Sequence, residues 1–471
     1  MPERLSAREA VALVAEEFTP AATPARTEAQ TPAQTEAQPP APAPQPDGPL
    51  AWSGYDASRA RAAERTGADE SVLYGTATVG GRPCVLVVFE FGFLGGSLGR
   101  AAGDRLVAAY RTAAERRLPL VSLVATGGSR MQEGMIALAQ LQRVAAAAVR
   151  LRAAGVAHVT VLRDPSTGGG WATVGAGADV VLALPTAQVA FAGSRVRPAD
   201  ADPAAYTAEG QYAHGHVDAL VPPERLRAAV ALWLRLLGPD ATSDAAAPPA
   251  PAPPPYALGP LGPPASGWDA VRRARAAERP RAGAYLDRYF EVRATIRGDR
   301  AGGVDPGVEC GFGVHEGRVV AYAAQDGGAT RPAGFRTVAR LVRLAGRLGV
   351  PVLTLIDTPG AANGADAERA GAGPAIADAF TALAEARTPV TSLLVGEGGS
   401  GGALALAAPG NTWAAPGGYF SVIAPELAAQ ILKRPPARVP ETADQLRLRP
   451  QDLVELGVVR GIVGADPERK D

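Results

Sequence analysis

The sequence is poor in the residue types that hold metals, build disulfide frameworks or contact nucleic acids. Its 471 residues include only two cysteines, Cys84 and Cys310, and only two lysines, Lys433 and Lys470. The cysteines stand far apart in apolar or glycine-rich stretches, which predicts small core residues in a reducing compartment and neither a disulfide nor a metal site. Acidic and basic residues balance at 47 each, so we expect neither a nucleic acid nor an anionic membrane as the principal partner.

Long apolar runs and an N-terminal order of basic and then apolar residues are also missing. Both absences predict a cytoplasmic protein without a membrane span or a secretory signal. The four histidines, His158, His214, His216 and His315, are scattered outside the glycine motifs of the chain. We expect them in loops or at the surface, which leaves the chain without a histidine-based pair of nucleophile and base.

Two segments rich in proline and alanine divide the chain. Residues 1–18 are predicted to contain an N-terminal helix, because Ser6 and Glu9 have the spacing of a capping box. Residues 19–50 cannot build a core and are predicted to be a disordered linker, and residues 238–266 form a second Pro/Ala-rich linker. Two folded segments remain, each long enough to bury its own core: residues 51–237 and 267–465.

The two folded segments repeat one plan. The turn at Gly128 recurs at Gly360, 232 residues later, and residues 167–170 have a counterpart in residues 400–402 at nearly the same offset. A register that is kept across such landmarks indicates two copies of one fold. Apolar runs alternate with helical patterns in both copies, which predicts βαβ units and an α/β architecture. The predicted strands are residues 83–89, 118–124, 156–162, 180–184, 318–323, 350–356 and 390–395.

Each copy places a glycine-rich turn between a strand and a helix. Residues 127–134 read Gly-Gly-Ser-Arg-Met-Gln-Glu-Gly, and residues 396–402 read Gly-Glu-Gly-Gly-Ser-Gly-Gly. The chain has no P-loop, so no motif supports nucleotide-phosphate chemistry. Close packing of helix on strand is one interpretation of such turns; the other is that their backbone N–H groups stabilise a developing oxyanion. Asp357 and Glu397, near strand ends, are expected to cap turns or to bind backbone N–H groups.

A site with many backbone donors and few side-chain acids and bases suits one chemistry in particular. The reaction would pass through an enolate or a similar oxyanion, and a cofactor would supply the proton acceptor.

These motifs and their surroundings resemble the carboxyltransferase of bacterial acetyl-CoA carboxylase. The likeness covers most of both folded segments and marks the chain as similar to a fused β–α carboxyltransferase of that family. It implies two crotonase-like (ClpP/crotonase) domains in tandem, each with a ββα-superhelix core. The segments similar to the β subunit are 127–134, 164–169 and 191–196; those similar to the α subunit are 356–361, 396–406, 419–423 and 448–457.

The resemblance also implies a reaction and a role for each glycine turn. A carboxyl group would move from carboxybiotin to the α-carbon of an acyl-CoA, with acetyl-CoA to malonyl-CoA as the leading case. The N–H groups of Gly127 and Gly128 would hold the enolate oxygen of the thioester, and those of Gly402 and Ala403 would hold the ureido oxygen of biotin. The other substrate-binding residues would be Ser129, Arg130, Gly168, Gly169, Gly193, Gly360 and Gly401.

The partners follow from the same resemblance. Lys433 and Lys470 lack the methionine neighbours of a biotin attachment site, so biotin would arrive on a separate biotin carboxyl carrier protein that is charged by a biotin carboxylase. Active sites in this family lie between two domain types, commonly from two chains, which implies at least a homodimer. Two cysteines cannot build the four-cysteine zinc ribbon of many β subunits, so no zinc is expected.

Two departures from the family pattern keep other activities open. Trp171 follows the glycines at 168–170, where the family usually has a smaller residue that would leave more room for the acyl group. The basic stretch before one α-subunit strand is shortened to residues 326–332. One alternative is therefore a pathway-specific relative that carboxylates another acyl thioester or runs as a decarboxylase. Another is a subunit that scaffolds the complex without catalysis.

Overall fold

The computed structural model describes residues 4–22, 46–238 and 249–467. They fall into two compact units, Met1–Pro239 and Asp240–Asp471, and each unit is built on one eight-stranded sheet. Most of the predicted disordered linker, together with residues 239–248 of the second Pro/Ala-rich tract, lies outside the described residues.

The first unit alternates strands and helices along its chain. Its strands are β1 (Glu17–Pro20), β2 (Val72–Val79), β3 (Arg82–Phe89), β4 (Leu120–Thr126), β5 (His158–Thr167), β6 (Val180–Ala183), β7 (Val189–Ala190) and β8 (Ala219–Leu220). Its helices are α1 (Ala7–Val14), α2 (Tyr55–Thr66), α3 (Arg100–Arg116), α4 (Gly134–Ala153), the single turn α5 (Gly168–Gly170), α6 (Ala208–Ala213) and α7 (Leu226–Leu237).

The second unit follows with a similar alternation. Its strands are β9 (Val292–Ile296), β10 (Val308–His315), β11 (Arg318–Gln325), β12 (Val352–Thr358), β13 (Val390–Gly399), β14 (Thr412–Ala414), β15 (Tyr419–Ser421) and β16 (Gly461–Ile462). Its helices are α8 (Gly267–Arg275), α9 (Ala282–Tyr289), α10 (Pro332–Leu348), α11 (Ala365–Arg369), α12 (Ala372–Ala384), α13 (Ser400–Leu404), α14 (Pro425–Ile431), α15 (Val439–Gln445) and α16 (Pro450–Glu455).

The two sheets have the same strand order. The first runs β1-β2-β3-β4-β5-β6-β8 with β7 beside β5, and the second runs β9-β10-β11-β12-β13-β14-β16 with β15 beside β13. In both sheets the first three strands pair antiparallel and the following strands pair parallel. The predicted α/β fold is confirmed, and the repeat seen in the sequence is a repeat of topology.

The centre of each sheet is fully buried. All seven residues of β4 and of β12 are buried, as expected for parallel strands whose two faces are both covered. Both strands begin two residues later than predicted, at Leu120 and Val352. The reason is Pro119 and Pro351, which have no N–H to donate to the sheet and so stand just before the paired residues.

The N-terminal segment forms a short helix and then extends the sheet. The predicted capping box is present, because Ser6 Oγ accepts the Glu9 N–H at 3.2 Å and the Glu9 carboxylate accepts the Ser6 N–H at 2.8 Å. The helix ends at Val14, and β1 then pairs antiparallel with β2. The predictions of a helix to residue 18 and of disorder from residue 19 are therefore wrong at residues 17–20, which add backbone hydrogen bonds along β2.

The described part of the second Pro/Ala-rich tract packs on the second unit. Ala252 and Ala257 are buried in its core. The Ala257 N–H donates to the Gly464 carbonyl oxygen at 2.9 Å, and the Leu258 N–H donates to the Tyr285 hydroxyl at 3.2 Å. The interpretation of this tract as a linker is thus wrong at residues 252–258, because small apolar side chains let this extended segment lie against the core.

Gly75 on β2 is required for the pairing with β1. A Cβ at this position would collide with the carbonyl oxygen of Thr19 and would lie 2.8 Å from the Cα of Pro20. We expect Gly75→Val to displace β1, to lower the free energy of unfolding by about 1–3 kcal/mol, and to remove amide protection at residues 17–19 in hydrogen exchange. Thr76→Val on the same strand is the control. Equal stability and equal protection in both variants would contradict this contact.

Candidate active sites

The first candidate site lies where β4 and β5 end. The turn after β4 holds Gly128 at a φ of +110°, and the turn after β5 holds Gly168 at a φ of +62°, conformations that glycine adopts without a steric penalty. A Cβ on Gly168 would lie 2.9 Å from the Cα of Gly128. The two turns therefore meet backbone to backbone, at the carboxyl edge of the sheet, where open α/β sheets bind ligands.

The backbone donors of the first site come from both turns. The Gly127 N–H donates to the Gly95 carbonyl oxygen at 2.8 Å, and the Gly128 N–H donates to Thr126 Oγ1 at 3.0 Å. The N–H of Ser129 has no acceptor among the described residues, and Gly169 stands second in α5, where an N–H has no acceptor within its own helix. Ser129 and Gly169 are thus available as donors, whereas the predicted donors Gly127 and Gly128 are both already bonded.

The second candidate site repeats this arrangement at the ends of β12 and β13. Gly360 has a φ of +137°, and its N–H donates to Thr358 Oγ1 at 3.1 Å, as Gly128 does to its own threonine. A Cβ on Gly402 would collide with the backbone nitrogen of Ala361 and would lie 2.8 Å from the carbonyl carbon of Gly360. The predicted residues Gly360 and Gly402 therefore mark the point where the two turns touch.

The donors of the second site again come from two turns. The Ala361 N–H has no acceptor within residues 4–22, 46–238 and 249–467. Gly401 and Gly402 stand second and third in α13, so their N–H groups have no acceptor in the helix. Ala403 is the fourth helical residue, and its N–H closes the first hydrogen bond inside the helix. The predicted donor Gly402 thus lies in the donor set, whereas Ala403 is occupied by its own helix.

Gly193 lies in the loop after β7, beside the first site. A Cβ on Gly193 would come within 4.0 Å of Thr167 Oγ1. In the same loop, the Phe191 carbonyl oxygen accepts the Gly168 N–H at 3.1 Å, while its side chain is 72% exposed. This loop therefore holds one turn of the first site in place and presents an apolar ring beside it.

Arg130 does not fit the predicted role in substrate binding. Its side chain is fully buried and pairs with both Glu70 oxygens, one of them at 3.0 Å, and with Glu133 at 3.3 Å. It also donates to the carbonyl oxygen of Ser97 at 2.7 Å and to the Tyr55 hydroxyl at 3.2 Å. All three guanidinium nitrogens donate to protein groups, Nε to Ser97 Oγ at 3.1 Å, so these bonds anchor the turn that follows β4.

The charge of this cluster changes the ionisation of its members. Burial alone would raise the pKa of Glu70, but the hydrogen bonds and the charge of Arg130 outweigh burial and hold the pKa below its usual value. Burial raises the pKa of Tyr55 to about 12, so its hydroxyl stays protonated and donates to Glu133 at 2.5 Å. No local pattern in the sequence pointed to Glu70 or Tyr55 as partners of the glycine turn.

A buried ion pair also supports the second site, but here the carboxylate, not the arginine, lies next to the glycine turn. Asp357, at the end of β12, accepts both 2.7 Å hydrogen bonds of Arg279 and the Glu397 N–H at 3.1 Å. Burial raises the pKa of Asp357, and the adjacent arginine opposes that rise. The prediction that Asp357 binds a backbone N–H is confirmed. The same prediction for Glu397 is wrong, because its carboxylate binds Arg275 at 2.8 Å and the Tyr419 hydroxyl at 2.5 Å.

Two further residues differ from expectation. His158 lies on β5 and is buried, not in a loop; its Nε2 is 2.9 Å from Ser122 Oγ, and burial lowers its pKa to about 4. Trp171 is only 8% exposed and packs in the core of the first unit. The burial of His158 and Trp171 depends on the strands and helices that pack around these side chains.

The described residues also bear on metal sites, membrane-spanning helices and cysteine pairs. Within the described ranges, no group of three or more His, Cys, Asp and Glu side chains is arranged to hold a metal ion. In the same residues no helix is both long enough and apolar enough to cross a membrane. Cys84 and Cys310 are both buried, as predicted, and are not bonded to each other.

Both units match known families of carboxyltransferase domains. A carboxyl transferase domain matches residues 51–234, and an acetyl co-enzyme A carboxylase carboxyltransferase-like domain matches residues 264–468. Together the two matches cover both units and both glycine sites. The chain belongs to the acetyl-CoA carboxylase carboxyltransferase family.

Curated relatives are similar over most of the chain. The acetyl-coenzyme A carboxylase carboxyl transferase subunits beta/alpha of Saccharopolyspora erythraea is 40% identical over 432 residues, covering 87% of this chain and 74% of its own. The protein of the same name from Clostridium tetani is 32% identical, covering 89% and 75%. A probable biotin-dependent acyl-coenzyme A carboxylase beta3 subunit of Mycobacterium bovis is 35% identical, covering 88% and 84%.

Solved structures support the fold. The transcarboxylase 12S structure with hydrolysed methylmalonyl-coenzyme A bound has a TM-score of 0.75 at 19% identity, covering 98% of this chain and 87% of its own. A single-chain, multi-domain long-chain acyl-CoA carboxylase has a TM-score of 0.71 at 19% identity, covering 98% and 44%. The predicted tandem of crotonase-like domains is confirmed.

Replacing Arg130 should lower the free energy of unfolding, because the carboxylates that it pairs with are buried. Arg130→Met leaves Glu70 and Glu133 buried without a cation, so we expect a loss of about 3–5 kcal/mol in the free energy of unfolding at pH 7, measured by denaturant titration. Glu70 has a lowered pKa when folded, so its stabilisation is present above the unfolded value of about 4.3 and is lost as the pH falls. The difference between variant and parent should therefore shrink on acidification.

Arg143→Met provides the matched control for this measurement. Arg143 pairs with Asp104 at 2.6 Å, but both side chains are partly exposed, and such pairs contribute about 0–1 kcal/mol. Equal losses in the two variants, or a difference between Arg130→Met and the parent that does not depend on pH, would contradict the proposed cluster energetics.

Proposed function

We propose that the chain transfers a carboxyl group from carboxybiotin to acetyl-CoA and forms malonyl-CoA, with the thioester in the first site and biotin in the second. The observation that carries this proposal is the repetition of one donor arrangement, with N–H groups from two touching glycine turns, once in each unit. Two charged oxygens must be stabilised in such a transfer, one on each substrate. The names of the relatives supply acetyl-CoA as the substrate.

In the first site, the backbone binds and orients the thioester. The N–H groups of Ser129 and Gly169 would donate to the carbonyl oxygen as negative charge develops on it, and one such donor typically lowers the barrier by about 3 kcal/mol. Gly128 and Gly168 contribute by lacking side chains, because a Cβ on Gly168 would come within 2.9 Å of the Gly128 Cα. The buried ion pairs of Arg130 keep the turn rigid, so the donors need not reorganise during the reaction.

In the second site, the donor groups present fit a ureido oxygen. The N–H groups of Ala361, Gly401 and Gly402 come from two turns that meet so closely that a Cβ on Gly402 would collide with the backbone nitrogen of Ala361. Bound carboxybiotin supplies the carboxyl group and the base for the α-proton. The part of the protein in this step is to hold the ureido oxygen, to fix the turn through Asp357 and Arg279, and to keep side chains out of the cradle.

The remaining partners are part of the proposal. Lys433 and Lys470 lack the surroundings of a biotin attachment site, so biotin would arrive on a biotin carboxyl carrier protein after a biotin carboxylase has charged it. Transfer needs a first site opposite a second site, and we propose that a homodimer or higher oligomer brings them together, in the cytoplasm. One structural relative is described as a hexamer assembly.

A different acyl thioester is the second candidate. A relative from Mycobacterium bovis is named as an acyl-coenzyme A carboxylase subunit, which favours keeping this alternative. Trp171 supports it less than the sequence suggested, because a side chain packed in the core does not crowd a pocket.

A panel of acyl-CoAs distinguishes these candidates. With purified carrier, biotin carboxylase, ATP and labelled bicarbonate, we expect acetyl-CoA to give the highest kcat/KM for incorporation of label. A larger acyl-CoA with the highest kcat/KM would favour the alternative substrate. No labelled product with any acyl-CoA, while the partners still co-purify, would favour the scaffold.

A methyl group at Gly402 should block the second site. Gly402→Ala would push the Cβ onto the backbone nitrogen of Ala361, so we expect the transfer rate to fall by about 10²–10³-fold, the range for loss of an oxyanion donor. Gly283→Ala in α9 is the control, since a Cβ there meets no atom within 4 Å. Transfer at the parental rate by Gly402→Ala would contradict the assignment of the cradle.

A further inference from the structure

The second site rests on a buried polar network. Gln325, the last residue of β11, is fully buried, and its Nε2 donates to the Gly402 carbonyl oxygen at 3.2 Å and to Thr330 Oγ1 at 3.0 Å. Thr330 Oγ1 lies 3.5 Å from Thr358 Oγ1, which accepts the Gly360 N–H at 3.1 Å. One continuous set of side chains therefore joins the two turns of the second site.

The internal repeat shows what stands at the same positions in the first site. Strand pairing makes Gln325 the counterpart of Phe89, the last residue of β3. The isolated bridges to the glycine turns make Thr330 the counterpart of Leu98. Phe89 and Leu98 both belong to the hydrophobic core of the first unit. The same two positions are therefore apolar beneath the first site and hydrogen-bonded beneath the second.

The amide oxygen of Gln325 argues against a purely structural role for this side chain. Its Oε1 is buried and has no hydrogen-bond partner in the described part of the chain. A buried acceptor without a donor lowers stability, and an apolar side chain of similar size would avoid that loss. The first unit uses an apolar side chain at this position, so the fold itself does not require an amide.

We propose that Gln325 and Thr330 are positioning residues that make the second site specific for a urea-type oxygen. This inference rests on the proposed function and names how the second site differs from the first. Gln325 holds the peptide at the start of α13, and Thr330 holds Thr358 and with it the turn at Gly360. Because both turns are tied to one amide, their N–H donors have a fixed separation. A urea oxygen prefers to accept hydrogen bonds near its molecular plane, and donors held at a fixed separation can meet that preference.

The test measures the two substrates separately in the full-length protein. Transfer from carboxylated carrier protein to acetyl-CoA is followed while each substrate is varied in turn. For Gln325→Met we expect kcat/KM for the carboxylated carrier to fall by about tenfold or more, since small displacements of aligned groups have large effects on rate. The KM for acetyl-CoA should stay within about twofold, and the melting temperature within about 4 °C. Thr330→Val should change the same parameter in the same direction.

Gln451→Met is the matched control. Gln451 is also an amide whose Oε1 is buried without a partner among the described residues, and its Nε2 donates to the Pro264 carbonyl oxygen at 3.3 Å and to no residue of the glycine turns. We expect it to transfer carboxyl groups like the parent.

The outcomes separate this inference from the proposed function. Parental kcat/KM for the carrier in Gln325→Met would overturn the inference, and so would equal losses for both substrates together with a lower melting temperature. Failure of the parent protein to carboxylate any acyl-CoA would overturn the proposed function, and the inference with it.

Discussion

Each site depends on the contact between two glycine turns that follow neighbouring parallel strands. A Cβ on Gly168 or Gly402 would lie within 3 Å of the backbone of the facing turn, and Gly128 and Gly360 on those facing turns have positive φ angles that favour glycine. This contact places N–H groups from two different turns around one point. Such donors lose hydrogen-bonding partners when water is excluded, so the turns need support from elsewhere in the fold.

Both units provide that support with buried pairs of arginine and carboxylate, but the charge that lies at the site itself is positive in the first unit and negative in the second. In the first, Arg130 is on the glycine turn, Glu133 lies on the same turn, and Glu70 comes to it from outside the turn. In the second, the carboxylate of Asp357 is at the strand end, and Arg279 comes to it from the segment after α8. A buried charge without its partner is costly. Neither turn could therefore replace the other without its partners, and the repeat has diverged into two sites that are not interchangeable.

Much of this organisation could be predicted from the sequence, because it depends on local patterns. The apolar runs of β4 and β12, the capping box at Ser6 and the offset between the glycine turns all leave periodic or motif signals. The rest depends on contacts between distant segments. The pairing of β1 with β2 and the ion pair of Arg130 with Glu70 have no local signal, since each joins segments that are distant in the sequence. The donor groups of the first site differ from the predicted ones for a similar reason. Only the fold shows that the Gly127 N–H already has an acceptor.

The most direct test of the central claim is a structure of the protein with a non-reactive acyl-CoA analogue and a biotin amide bound together. We predict that the thioester oxygen lies about 2.7–3.1 Å from the backbone nitrogens of Ser129 and Gly169. We also predict the ureido oxygen at a similar distance from the nitrogens of Ala361 and of Gly401 or Gly402. A thioester oxygen in the second site, or both oxygens away from the glycine turns, would contradict the central claim.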